Sequence, residues 1–189
     1  MQFFVHHILS PVLRPYVQYV LFNRSDDKNY KRTIRSFANT NFCLGVINNR
    51  QLSKSENGTF TMANKPGINS YLTGIYTEPY DCQANGKQDE ICIDFTPLGY
   101  YHFFHFPAKT FLLNDDVLGE AFGKNAYNLF EKIFQEPDFK RRGNLIEQFL
   151  LKKIAVCNQP ELTEAIYLTS YYKGNCMVAQ IAKTMRCSE

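Results

Sequence analysis

The side chains best suited to chemistry in this sequence are two pairs of histidines and six cysteines. His102 and His105 stand three apart, a spacing that puts both imidazoles on one helical face, yet no carboxylate accompanies them as a metal site would need. His6 and His7 are adjacent, so a strand would turn them to opposite faces. A metal needs three or four convergent ligands, and the histidines therefore read as ordinary core or surface residues. Cys43, Cys82, Cys92, Cys157, Cys176 and Cys187 make no CxxC or zinc-knuckle pair, and no local signature marks one of them as a nucleophile. They read as reduced, mostly buried thiols. The chain also lacks a P-loop, a Gly-x-Gly-x-x-Gly turn and a nucleophile elbow. No catalytic residue, metal or cofactor is expected.

The most informative pattern is instead helical and lies at the end of the chain. Leu162, Ala165, Ile166, Thr169 and Tyr172 share one side of a helix that gives way to Gly174. Val178, Ile181, Ala182 and Met185 then recur at i, i+3, i+4 and i+7, and Ser188 follows. A helix-turn-helix needs a small residue where its helices cross, a tight turn, and a Ser or Thr to cap the recognition helix. Ala182 and Ser188 suit the first and third needs. The same residues would also suit an ordinary amphipathic helix pair closing a core.

On these residues the sequence resembles the AraC family of bacterial transcription regulators, whose DNA-binding domain opens in this way. The likeness extends upstream to Pro11-Val12-Leu13-Arg14-Pro15-Tyr16-Val17, to Phe95-Thr96-Pro97-Leu98-Gly99 with Phe103, Phe104 and Pro107, and to Leu118-Gly119. Those stretches are similar to one group of AraC-type N-terminal domains, which are β-rich and followed by a helical connector. Two positions depart from the pattern. Arg186 stands where the family usually has a glycine of positive φ, at a cost on the order of 1 kcal/mol. Ala38-Asn39-Thr40-Asn41 replaces a common Pro-Asp-Gly stretch.

The elements that must position these residues divide at Pro97. Before it, Phe3 to Ile8, Thr33 to Phe37, Phe42 to Ile47, Phe60 to Met62, Ser70 to Tyr76 and Ile91 to Phe95 read as strands, and Tyr16 to Phe22 as a strand or a helical turn. Phe42 to Ile47 is apolar on both faces, as a central strand would be, whereas Ile91, Ile93 and Phe95 alternate with Cys92 and Asp94. Turns are expected at 25–29, 54–58, 64–67 and 84–88. After Pro97 the period becomes helical. Asn125 can cap a helix carrying Ala126, Leu129, Phe130, Ile133 and Phe134 on one face, and Pro137 stops it. A second stripe follows in Leu145, Ile146, Phe149, Leu150 and Ile154, opposite Arg141, Glu147, Gln148 and Lys152.

The expected fold is α+β: a β-rich, sandwich- or barrel-like (cupin-like) body followed by a run of amphipathic helices. Three regions are expected: an effector-sensing domain over 1–115, a helical connector and dimerisation region over 116–158, and the start of a helix-turn-helix domain over 159–189. Phe42, Tyr71, Tyr76 and Phe95 are candidates to line a pocket for a small organic effector, with core packing as the plain alternative. Phe130, Phe134, Leu145 and Phe149 are candidate contacts of a homodimer, or else they pack on the sheet.

Net charge is a mild +3, but residues from 140 onward carry eight basic against four acidic side chains, a polarity that suits a polyanion or an ordinary solvated helix surface. The N-terminus lacks a basic region and a long apolar run, so neither a signal peptide nor a membrane span is expected, and the compartment is read as cytoplasmic. The chain thus reads as the effector-sensing, dimerising portion of a regulator whose full length contacts DNA. The base-reading residues would lie beyond Glu189, so residues 1–189 alone are not expected to recognise a DNA sequence. A stand-alone ligand-binding or adaptor domain without DNA contact is the alternative, and a small cupin-like metal enzyme stands behind it.

Overall fold

Alternating side chains set the fold. Along Gln88–Phe95, Ile91, Ile93 and Phe95 are wholly buried on one face while Glu90, Cys92 and Asp94 take the other. A computed structural model of the chain describes residues 1–37, 40–54, 59–74, 78–104, 116–155 and 160–187. Its strands are β1 (Gln2–His7), β2 (Val17–Ser25), β3 (Lys31–Ser36), β4 (Phe42–Lys54), β5 (Phe60–Thr73), β6 (Tyr80–Asn85) and β7 (Gln88–Phe95). They form one seven-stranded sheet in the order β1-β2-β7-β4-β5-β6-β3, curled into a half-barrel. Neighbours are antiparallel except β5 and β6. The expected α+β body is therefore present as a single curled sheet with helices after it. Tyr16 to Phe22 resolves as strand from Val17 onward, and β6 had no clear pattern in the sequence.

The turn expected at 64–67 lies inside β5. Register with β4 jumps from Asn48 opposite Ile68 to Arg50 opposite Asn64, so the extra residues bulge out of a continuous ladder. Asn49 takes a left-handed φ of 57° there, and its side-chain oxygen accepts the Gly67 N–H at 3.0 Å. Turn-forming residues are present as read, but they bend a strand rather than end it.

Four helices follow within the unit Met1–Ile154: α1 (Pro97–Phe103), α2 (Val117–Phe122), α3 (Asn125–Gln135) and α4 (Phe139–Lys153). The Thr96-Pro97-Leu98-Gly99 stretch works as a helix start. The Thr96 hydroxyl accepts the Gly99 N–H at 3.0 Å and donates to the Pro15 carbonyl at 2.9 Å, and Pro97 has no N–H to lose. A β-carbon on Gly99 would overlap the Tyr16 carbonyl, so only glycine lets α1 approach the chain just before β2 this closely. Asn125 begins α3 but does not cap it; Lys124 occupies the cap position without a side-chain bond. The helices share one apolar cluster with Val20, Phe22, Leu44, Ile91, Ile93 and Phe95. α2, α3 and α4 thus contribute to the body's own core.

Charge is also built into that core. Arg142 of α4 is fully buried, gripping both Asp89 oxygens at 2.7 and 3.0 Å and donating to the carbonyls of Glu136 and Phe134 at 2.6 and 2.8 Å. It is therefore not part of a polyanion-facing surface, although the sequence count includes it. Glu147, expected on the outer face of α4, instead points inward. It accepts His6 Nε2 at 2.7 Å and the backbone N–H groups of Leu9 and Ser10 at 2.8 and 2.9 Å.

The second unit, Ala155–Glu189, holds α5 (Pro160–Tyr171) and α6 (Val178–Met185). Ala182 is buried, and Leu162, Ala165, Ile166, Ile181 and Met185 are half-buried. Thr169, Tyr172 and Val178 stand outside that stripe, with Val178 70% exposed. Gln180 accepts the Met177 N–H at 3.0 Å and so closes the start of α6. At its other end Arg186 takes the left-handed conformation, φ 56° and ψ 38°, at the position where the sequence required a turn without glycine.

Candidate ligand cavity

All seven strands turn side chains into one cavity of about 240 Å³ on the inner face of the curl, and among the described residues no helix contributes to it. Alternation decides which residues enter. β7 sends Glu90, Cys92 and Asp94 inward, and β2 sends Tyr19, Leu21 and Asn23, while the intervening Val20, Phe22, Ile91 and Ile93 face the helices. Leu52, Met62 and Ile34 supply apolar wall. The Tyr71 ring lies over Gly45, where any β-carbon would overlap it; glycine therefore allows the phenol to lie flat along the sheet and reach β7.

Two carboxyls dominate the polar part. Glu90 is 5% exposed; it accepts the Tyr71 hydroxyl at 2.8 Å and the Asn23 amide at 3.4 Å. Burial pushes its carboxyl above the ordinary value, and the bonds from Tyr71 and Asn23 with the charge of Arg32 offset this only in part. Asp94, equally buried, accepts the Tyr19 hydroxyl at 3.3 Å and the Asn41 amide at 3.0 Å. Burial drives it up to about 6, against those two bonds. Neither carboxyl has an ion-pair partner among the described residues. Beside Glu90, the Oδ1 of the buried Asn23 has no hydrogen-bond partner among the described residues.

The phenols and thiols around the acids are held protonated. Tyr19 is pushed up to about 12 by burial and by Asp94, and Tyr71 rises well above its ordinary value through burial, Cys92 and Glu90. Burial carries Cys82 up to about 12; Cys92 is raised by its contact with Cys43 and by burial. Thiols kept neutral in this way are poor nucleophiles and metal ligands. The groups that the cavity presents are hydrogen-bonding and apolar rather than nucleophilic.

Of the four residues expected to line a pocket, only Tyr71 does so among the described residues. Phe42 and Phe95 face the helices, with Phe42 stacked on Tyr100 at 4.3 Å and Phe95 against Phe103 and Phe104 at 5.1 and 5.2 Å; strand alternation puts them on the opposite side of the sheet from the cavity. Tyr76 lies outside the described residues. The expected dimer residues are corrected likewise. Phe130, Phe134 and Phe149 are buried in the body's core and Leu145 is half-buried against it, so the stripe packs on the body as the alternative reading had it. In the helix-turn-helix set, Ile181, Ala182 and Met185 turn inward, Val178 is exposed, and Ser188 lies outside the described residues. His102 is buried against Tyr16 at 4.1 Å between ring centres, and His105 falls outside the described residues.

Glu90, Asp94, Asn23 and Tyr19 were absent from the expected lining. Their signal was present in the alternation of Glu90 and Asp94 with Ile91, Ile93 and Phe95, a pattern that also fits a strand with one face in water. Only the curl of the sheet turns that face into the wall of a cavity.

Residues 6–115 match the family described as a domain of unknown function, DUF6597. No curated protein and no solved structure matches the chain. No helix among the described residues is long and apolar enough to cross a membrane.

Proposed function

Because the chain belongs to the DUF6597 family, whose description assigns no activity, we propose a role from its geometry: it is the sensing portion of an AraC-type transcription regulator. A small organic effector occupies the half-barrel cavity. The observation that carries this reading is the cavity's inner face, where two buried carboxyls and an unpaired amide oxygen stand among apolar walls, an arrangement suited to small-molecule recognition and costly for stability alone. The resemblance of residues 164–188 to the start of a regulator's DNA-binding domain supplies the output, and the left-handed turn at Arg186 is compatible with it.

A route from the cavity begins on β7. Glu90 faces the ligand while its neighbour Asp89 is gripped by Arg142 of α4, so a ligand that draws on Glu90 acts on a strand already fixed to the helices. The effector regulates only if it binds two arrangements of the protein with different affinity. Homodimerisation, by surfaces other than the buried Phe130 and Phe149, belongs to the same reading, as does a cytoplasmic location.

The test is chromatin capture of the epitope-tagged gene product expressed from its own locus. Enrichment is expected at one or a few sites with paired half-sites about one helical turn, or a multiple of it, apart. A flat profile across the chromosome rejects the regulator reading and leaves a binding domain without DNA contact.

A further inference from the structure

The cavity's polar groups specify the kind of ligand that fits. Its acceptors are the Glu90 and Asp94 carboxyls and the Oδ1 of Asn23. The donors nearest them are already committed: the Tyr71 hydroxyl and the Asn23 amide to Glu90, and the Tyr19 hydroxyl to Asp94. What remains unmet beside Glu90 is an acceptor, so the missing partner is a donor. Charge points the same way. Two acids line the cavity against one base, Arg32, whose guanidinium lies 4.6 Å over the Phe3 ring and forms no ion pair among the described residues.

We propose that the cavity takes a small organic amine, its primary ammonium group received between Glu90 and the Oδ1 of Asn23. This deepens the effector-site reading above and rests on it. An ammonium carries three donors and no acceptor, which meets the Glu90 carboxylate and the unpaired amide oxygen without creating a new orphan. It puts a cation in direct contact with the buried Glu90, which has no ion pair among the described residues and feels the charge of Arg32 only in part, and the phenol rings of Tyr19 and Tyr71 bound the same space, where aromatic faces favour a cation. An anionic ligand would instead bring its charge against both acids. At about 240 Å³ the cavity is below the size of a drug-like site, which restricts the amine to a short chain or a single ring whose apolar part lies against Leu21, Ile34, Leu52 and Met62.

The experiment uses the whole chain at pH 7.5 and three amines, hexylamine, 2-phenylethylamine and cadaverine. The matched neutral and acidic probes are 1-hexanol, 2-phenylethanol, 1,5-pentanediol and hexanoate, and binding is read by calorimetric titration and by the shift in melting temperature. At least one amine is expected to bind one-to-one, at least tenfold more tightly than its matched alcohol, with no binding of hexanoate. In Glu90→Gln that preference is expected to fall at least tenfold, and Gly45→Ala, which moves Tyr71 into the cavity, is expected to abolish binding. The melting temperature of each variant without ligand establishes that it is folded, and the amine-to-alcohol ratio in the unaltered chain needs no variant. Failure of all three amines, equal binding of alcohol and amine, or unchanged amine preference in Glu90→Gln overturns the proposal. Alcohol binding without amine binding would reject the ligand class and leave the effector site standing, whereas a flat chromatin profile beside tight amine binding would reject the regulator and keep the site.

Discussion

Two buried carboxylates in the same body have opposite surroundings. Glu147, on the helix side of the sheet, accepts His6 and two backbone N–H groups within 2.9 Å. Burial raises its affinity for a proton, but the Leu9 N–H, His6 and the Ser10 N–H together pull its carboxyl below the ordinary value. Glu90, on the cavity side, has a phenol and one long amide bond, and burial leaves its carboxyl raised. Where the fold needs a buried charge for its own assembly, it surrounds that charge with donors; where a charge is under-partnered, stability alone does not account for it. The difference separates the helix-packed face of the sheet from the cavity face, where the proposed site lies.

The largest expected effect lies on the structural side. Arg142→Ala leaves Asp89 without its two guanidinium bonds and frees the carbonyls of Phe134 and Glu136, and should destabilise the whole chain by about 3–5 kcal/mol in urea denaturation. A loss under about 1 kcal/mol would show that this side is not built on paired charge, erasing the contrast. Glu147→Gln is expected to cost less, roughly 1–3 kcal/mol at pH 7, because an amide keeps one acceptor oxygen for three donors. The sign with pH follows from the lowered carboxyl. Its stabilisation is present above the unfolded value, near 4.5, and is lost as pH falls through the lower folded value, so the unaltered chain and the Glu147→Gln variant should converge in stability in acid.

The sheet's core was readable in the sequence because burying one face leaves an alternation that few other structures produce: Ile91, Ile93 and Phe95 announce it, and so does the doubly apolar run from Phe42 to Ile47. The α4 stripe was readable for the same reason, except at Arg142 and Glu147. Each is a charged residue whose burial depends on a partner far away in the chain, Asp89 and His6 respectively, and periodicity carries no such information. The cavity was readable only as far as Tyr71. Phe42 and Phe95 are aromatic rings on strands as Tyr71 is, but their register places them on the other face. Arg186 is the opposite case: a local backbone requirement, stated by one position, was met at that position.

The smallest expected effect has the opposite sign and probes the cavity side alone. Asp94 has its carboxyl raised to about 6 by burial, with Tyr19, Asn41, Cys43 and Cys92 around it and no cation in contact among the described residues. A raised carboxyl favours the protonated fold, so its contribution to stability is full below the unfolded value, near 3.8, and is lost as pH rises through about 6. Without ligand, the unaltered chain should therefore lose stability from this group between about pH 4 and pH 6, the window above that in which Glu147 acts. Asp94→Asn removes the titration and keeps the shape, and it should raise stability at pH 8 by roughly 1 kcal/mol while leaving pH 4 unchanged. Thermal unfolding at the two pH values measures the difference. A variant less stable than the unaltered chain at pH 8 would mean that Asp94 is a structural charge like Glu147, and the division between the two sides of the sheet would fail at the residue where it is most exposed to test.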